Sequence, residues 1–275
     1  MSTKGIYTAL SGSLAQSLKM DTIANNIANA NTTAFKRDQQ VFNEYLNSFE
    51  KEQEVNTVPR NLASIESFYH MNGGDQAAVN AKGTYTDFNQ GALKRTGNPL
   101  DVAIEGKGFF EVLTPQGVRL TRSGNFSLDA NGQLVNKEGH PVLKQVAEGA
   151  TNADVNSRII QFSGQREVQI SDGGEIMDGT ENLGKISIVN VMNPDSLQKV
   201  GSNNYGFKEN MAPEIVQVKV PSLRTGHLEG SNVNIVQEMT DMITTQRAFE
   251  ATQKAINAYD AMADKLVNVV GKVNP

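Results

Sequence analysis

The C-terminal segment constrains the fold more than any other stretch of the chain. From Ile235, positions Met239, Met242, Gln246, Phe249, Gln253 and Ile256 advance by alternating steps of four and three. Tyr259, Ala263, Leu266, Val270 and Val273 continue after one extra step of three. This is a heptad seam with one stammer, the pattern of a helix that packs lengthwise on another helix. Asn234 followed by Gln237 resembles a capping box, so a helix is predicted over 235–270. At about 1.5 Å per residue it is about 54 Å long, beyond the usual globular helix. Gln246 and Gln253 interrupt the seam. They either face solvent at its margin, the favoured reading, or set register as buried polar residues do.

The other end of the chain has a similar pattern. Residues 4–30 hold no proline, and Ile6, Leu10, Leu14 and Leu18 step by four before Met20, Ile23 and Ile27 step by three and four. These positions form one apolar arc on a helix. Asn29 and Asn31 are stop signals, since Asn tolerates the left-handed conformation. Between the ends the pattern changes to short apolar runs such as Leu100–Ile104, Phe109–Leu113 and Ile186–Met192. They are separated by turn sequences such as Asp129-Ala130-Asn131-Gly132, Asp172-Gly173-Gly174 and Asp178-Gly179. Such runs read as strands of an all-β domain. Asn (28) and Gly (24) are abundant, which favours turns and short strands over long buried elements.

The fold class expected is α+β, with paired N- and C-terminal coiled-coil-like helices and an inserted all-β domain. Residues 1–35 and 234–275 would form a discontinuous helical stalk. Residues 36–83 would be an extended connector with a short helix around Val41–Phe49, and 84–233 the β-rich insertion.

Little here suggests chemistry. The chain has no cysteine, which excludes disulfides, thiolate-bound metals and thiol nucleophiles. His70, His140 and His227 are isolated, with no metal-spaced motif around them. Gly106-Lys107-Gly108 lacks the context of a phosphate loop, and the Asp129 run lacks the twelfth acidic ligand of a calcium loop. Both read as turns. No catalytic residues, metal or cofactor are expected. The net charge of −5, with no basic run, argues against nucleic acid as a partner. No apolar stretch is long enough for membrane insertion, and residues 1–25 do not read as a cleavable signal peptide.

Particular residues do resemble a known family. Ala24-Asn25-Asn26-Ile27-Ala28-Asn29-Ala30-Asn31-Thr32-Thr33-Ala34-Phe35-Lys36-Arg37 is similar to the N-terminal signature of flagellar rod and hook proteins. Ala34 stands where that family usually has glycine. This argues against a left-handed backbone there, because a Cβ is disfavoured at positive φ. Thr96–Phe110, Leu120–Phe126 and Asp129–Leu143 resemble the family's central motif. Gly230-Ser231-Asn232-Val233-Asn234, Glu238-Met239, Met242-Ile243 and Gln246–Glu250 resemble its C-terminal one. Residues 6–12 and 228–233 look most like the proximal-rod branch, which is favoured, and Thr244–Phe249 more like the distal-rod branch.

The resemblance implies a non-enzymatic structural subunit of an axial tube that crosses the periplasm and transmits torque. It also implies export through the flagellar export apparatus without a cleaved signal. Partners would be copies of itself and other rod or hook-basal-body subunits. Subunit packing is expected at Leu10, Leu14, Ile23, Ile27, Met239, Met242, Phe249, Ile256 and Leu266. Asn25, Asn26 and Asn29 would either cap the helix or bond to neighbouring subunits. The competing class is a β-domain ligand-binding module displayed on a coiled-coil oligomer, with an aromatic-rich concave site.

Overall fold

A computed structural model of the chain describes residues 4–47, 76–146, 155–162, 168–179, 181–209, 211 and 214–270; residues 4, 43–47, 76–82, 263 and 266–270 are described in backbone only. The chain divides into two compact units. One draws on residues 1–25, 38–85 and 236–275, the other on 26–37 and 86–235. The class is α+β. None of the described helices is long and apolar enough to cross a membrane.

The helical unit holds most of α1 (Lys4–Ala28) and α2 (Ile235–Val270). Both helices match their periodicity. α1 stops one residue before Asn29, which opens a turn, and α2 starts directly after Asn234. The side-chain amide of Gln237 donates forward to Asp241 Oδ1 at 3.1 Å. A strand pair, Asp38–Asn47 with Gln76–Thr86, completes the unit. The helix expected from Val41 is therefore a strand as far as Asn47. Val41, Phe42 and Tyr45 are β-branched or aromatic residues that favour a pleated surface. Residues 48–49, the charged run Glu50–Glu54 and the turn Asn72–Gly74 lie outside the described residues, as does His70.

The β unit is built on a six-stranded antiparallel sheet. Its order is Leu197–Gly201, Asn204–Phe207, Gly117–Thr121, Phe109–Thr114, Ile188–Val191 and Ile215–Gln217. Successive side chains of a strand face opposite ways. Phe110, Val112 and Ile188 join the larger apolar cluster with Phe126, Leu134, Ile160 and Ile176, whereas Phe109 and Val189 join a second one with Leu120, Leu197 and Tyr205. The strand Phe109–Thr114 is buried on both faces, which is why it reads as a mostly apolar run, and its buried Glu111 accepts the Ser187 hydroxyl at 2.6 Å. The predicted turns lie between strands. Asp129 Oδ1 accepts the N–H of Asn131 at 2.8 Å, closing the hairpin of Phe126–Leu128 with Leu134–Asn136. Two further short pairs, Val102–Ile104 with Leu223–Thr225 and Leu93–Arg95 with His227–Glu229, bring the two ends of this unit's sequence together.

Candidate functional site

The helices present faces that periodicity did not anticipate. On α1 the buried positions include Ser13, Ala15 and Ile23, while Leu10 (56% exposed), Leu14 (63%), Tyr7 and Leu18 face outward. Small residues line the inner side. A Cβ on Gly5 would lie 3.3 Å from the Tyr259 ring, so α1 and α2 approach closely there. On α2 the packed line runs through Glu238, Met242, Thr245, Phe249, Thr252 and Ile256. The seam is thus rotated by one residue at alternate positions, and Met239, Gln246 and Gln253 are exposed. Threonine can lie inside because its hydroxyl bonds to its own helix: Thr245 Oγ1 donates to the Asp241 carbonyl at 2.7 Å, and Thr252 Oγ1 to the Phe249 carbonyl at 2.7 Å. Gln246 donates instead to Glu250 Oε1, 3.3 Å away on the exposed face.

The predicted packing residues therefore divide. Leu10, Leu14, Met239 and Asn25 are exposed, and Ile27, Asn29, Met242, Phe249 and Ile256 are half-buried. Ile23 and Asn26 are buried in the chain itself. Asn26 thus has no exposed amide to offer a neighbour. Asn29 Oδ1 accepts the Thr32 hydroxyl at 3.1 Å, a local turn contact. Leu266 lies on α2, and its side chain is outside the described residues.

A second constellation sits in the β unit, where residues 26–37 meet 229–232. Lys36 and Glu229 are fully buried, with Lys36 Nζ 2.5 Å from Glu229 Oε1 and 2.6 Å from the Asn89 carbonyl. Glu229 Oε1 also accepts the Gly91 N–H at 3.0 Å, and its other oxygen lies 3.4 Å from Arg122 Nε. Arg122 donates to the carbonyls of Gly106 and Gly108 at 2.7 and 2.9 Å. The Gly106-Lys107-Gly108 turn is thereby held by its own peptide oxygens. Asn232 stitches the same place: its Oδ1 accepts the Arg37 N–H at 2.7 Å, and its amide donates to the Asp87 carbonyl at 2.8 Å. From the sheet, Lys199 donates to the Lys36 carbonyl at 2.6 Å and lies 4.1 Å over the Phe35 ring.

Burial pushes the Lys36 ammonium and the Arg122 guanidinium below their ordinary values, and Glu229 opposes the shift in both. Two cations share one carboxylate, so Glu229 is the group on which the cluster depends. Ala34 corrects the expectation from its missing glycine. It is left-handed, with φ of 58°, and fully buried. Its N–H donates to the Glu229 carbonyl at 2.8 Å. Tertiary contacts thus hold a conformation that costs Ala about 1–2 kcal/mol.

Three family models match this chain in the same order as these parts. The one described as "Flagella basal body rod protein" matches residues 6–36, "Flagellar hook protein FlgE/F/G D1 domain" residues 103–178, and "Flagellar basal body rod FlgEFG protein C-terminal" residues 224–269. The flagellar basal-body rod protein FlgG of Agrobacterium fabrum is 35% identical over 267 residues, 94% of this chain and 97% of that one. FlgG of Borreliella burgdorferi is 34% identical over 266 residues, 94% and 96% of the two chains. The chain belongs to the flagellar basal-body rod protein family.

The proximal-rod preference gains nothing from these relatives. FlgF of Mesorhizobium japonicum is 31% identical over 268 residues, 97% of each chain, no more than the FlgG proteins. Short motifs at 6–12 and 228–233 were too small a sample to separate branches of one rod protein family. Lys36, Arg122, Glu229 and Asn232 come from three separate rod-family segments, and they converge on one buried cluster. Sequence reasoning quoted all four residues within its motifs without assigning them a role. The available signal was the presence of charged residues, Lys36 and Arg122, inside otherwise apolar or amide-rich segments.

Proposed function

We propose that this chain is a structural subunit of the flagellar basal-body rod, joined to copies of itself and to other rod or hook subunits through apolar stripes on α1 and α2. The observation that carries this reading is the exposure of Leu10, Leu14 and Met239 on helices of a rod-family chain. Large apolar side chains ordered on one helix face are costly in water and mark an interaction surface. Contacts that repeat head to tail give an open helical array, as a tube requires. Met242, Phe249, Ile256, Ile27 and Leu266 would extend that packing, and Asn25 and Asn29 would bond at its margin. Within each subunit the two helices would pair as a coiled-coil-like stalk of residues 1–35 and 234–275, with 36–83 as connector and 84–233 as the β insertion. The subunit would reach the periplasm through the flagellar export apparatus, keeping its N-terminus.

The double variant Leu14→Glu, Met239→Glu tests the reading. It should leave hydrogen exchange in the six-stranded sheet unchanged while abolishing incorporation into basal bodies and swimming. Normal incorporation would refute it. Mass spectrometry of the N-terminus from purified basal bodies tests export, and a tag located along the rod by electron microscopy assigns proximal or distal position. The ligand-module alternative has less support. A cavity of about 510 Å³ in the β unit is lined by Arg95, Pro99, Gln169, Thr225 and His227 among others, with no Phe or Tyr.

A further inference from the structure

We propose that Glu229 gates the docking of residues 33–37 on the β unit, so that this segment settles only after residues 227–232 are in place. The charge contacts are asymmetric. Without the carboxylate of Glu229, docking would bury Lys36 beside Arg122 with their shared counter-ion removed, since Lys36 is fully buried and Arg122 nearly so. A buried charge stripped of its partner is strongly unfavourable. Residues 227–232 have no matching need for Lys36. Their strand pairs with Leu93–Arg95, and Gly230 donates to the Ala92 carbonyl at 2.8 Å. Glu229 keeps the Gly91 N–H and Arg122, which leaves one cation against one carboxylate.

Backbone bonds run both ways: Ala34 N–H donates to the Glu229 carbonyl and Arg37 N–H to the Asn232 side chain, while Asn232 N–H donates to the Phe35 carbonyl at 3.3 Å. The buried charge alone sets the order. The charge partner that Lys36 requires lies 193 positions later in the sequence. In a chain that becomes available from its N-terminus, residues 33–37 therefore stay undocked until nearly all of it has arrived.

Hydrogen exchange of the full-length chain, read residue by residue, tests the order. In Glu229→Gln, the amides of Ala34 and Arg37 should lose protection by about 100-fold or more. Gly230 and the strand Phe109–Thr114 should stay within about threefold of the unsubstituted protein. Lys36→Glu, which expels residues 33–37 by charge, should likewise leave Gly91 and Gly230 protected within about threefold. Unchanged protection of Ala34 and Arg37 in Glu229→Gln overturns the proposal. So does equal loss across the sheet in that variant, or loss at Gly91 and Gly230 in Lys36→Glu matching that at Ala34.

Discussion

Gly124 lies against Val102 so closely that a Cβ at 124 would sit 1.6 Å from the Val102 carbonyl oxygen. Val102 in turn donates its N–H to the Gly124 carbonyl at 2.9 Å. Two backbones in contact cannot yield as a flexible side chain can. Gly124→Ala should therefore lower stability by about 3 kcal/mol, seen as a lower urea midpoint. Gly12→Ala, on α1 with open space around it, should leave the midpoint unchanged or raise it. Equal midpoints for the two variants would contradict this geometry.

Ala34 makes a prediction of opposite sense. Glycine would relieve the left-handed strain but lose a buried methyl and add freedom to the unfolded chain. These effects are each about 1 kcal/mol and largely cancel. Ala34→Gly should be close to neutral in thermal unfolding. Ala34→Val, β-branched in a site with no room, should cost more than about 2 kcal/mol.

Lys36 should leave a signature in alkali. Its folded-state pKa is below the ordinary 10.5, so between the two values the unfolded chain binds more protons than the folded one. Stability due to this group therefore rises with pH across that window and is level below it. The stability difference between the unsubstituted protein and Lys36→Met should shift in favour of the former as pH approaches 10.5. Denaturant titrations at several pH values would measure it, and a constant difference would disprove the assignment.

Asn232 bonds to Arg37 N–H and to the carbonyls of Asp87 and Asn89. Asn232→Ala removes these bonds to the half-buried Arg37 N–H and Asp87 carbonyl, while the Asn89 carbonyl keeps the Lys36 ammonium, at a cost of about 2–3 kcal/mol. Asn232→Asp restores only the acceptor and should recover part of the loss in the same unfolding assay.

Both helices were legible in the sequence because 3.6-residue periodicity persists over their whole lengths. The face each helix buries was not. Periodicity ranks Leu14 above Ser13 and Met239 above Glu238, whereas the chain buries Ser13 and Glu238 and exposes the larger apolar residues. An exposed apolar face looks like a core when only periodicity is read. Central strands such as Phe109–Thr114 were legible through short, mostly apolar runs and flanking glycines. The strand from Asp38 was not, since its partner lies some thirty residues further on, beyond the reach of local pattern. The Lys36–Glu229 cluster was hidden for the same reason on a larger scale. No local rule pairs residues so distant, even where both lie in recognisable motifs.

The closeness of residues 34–37 to 229–232 also has an evolutionary consequence. The first and last segments of the β unit are neighbours, so its sequence begins and ends at one place. Lengthening the chain between them at an exposed turn, such as Pro115-Gln116, leaves these contacts where they were. The β unit can diverge in size and surface at such turns while the contacts of residues 34–37 with 229–232 are inherited intact.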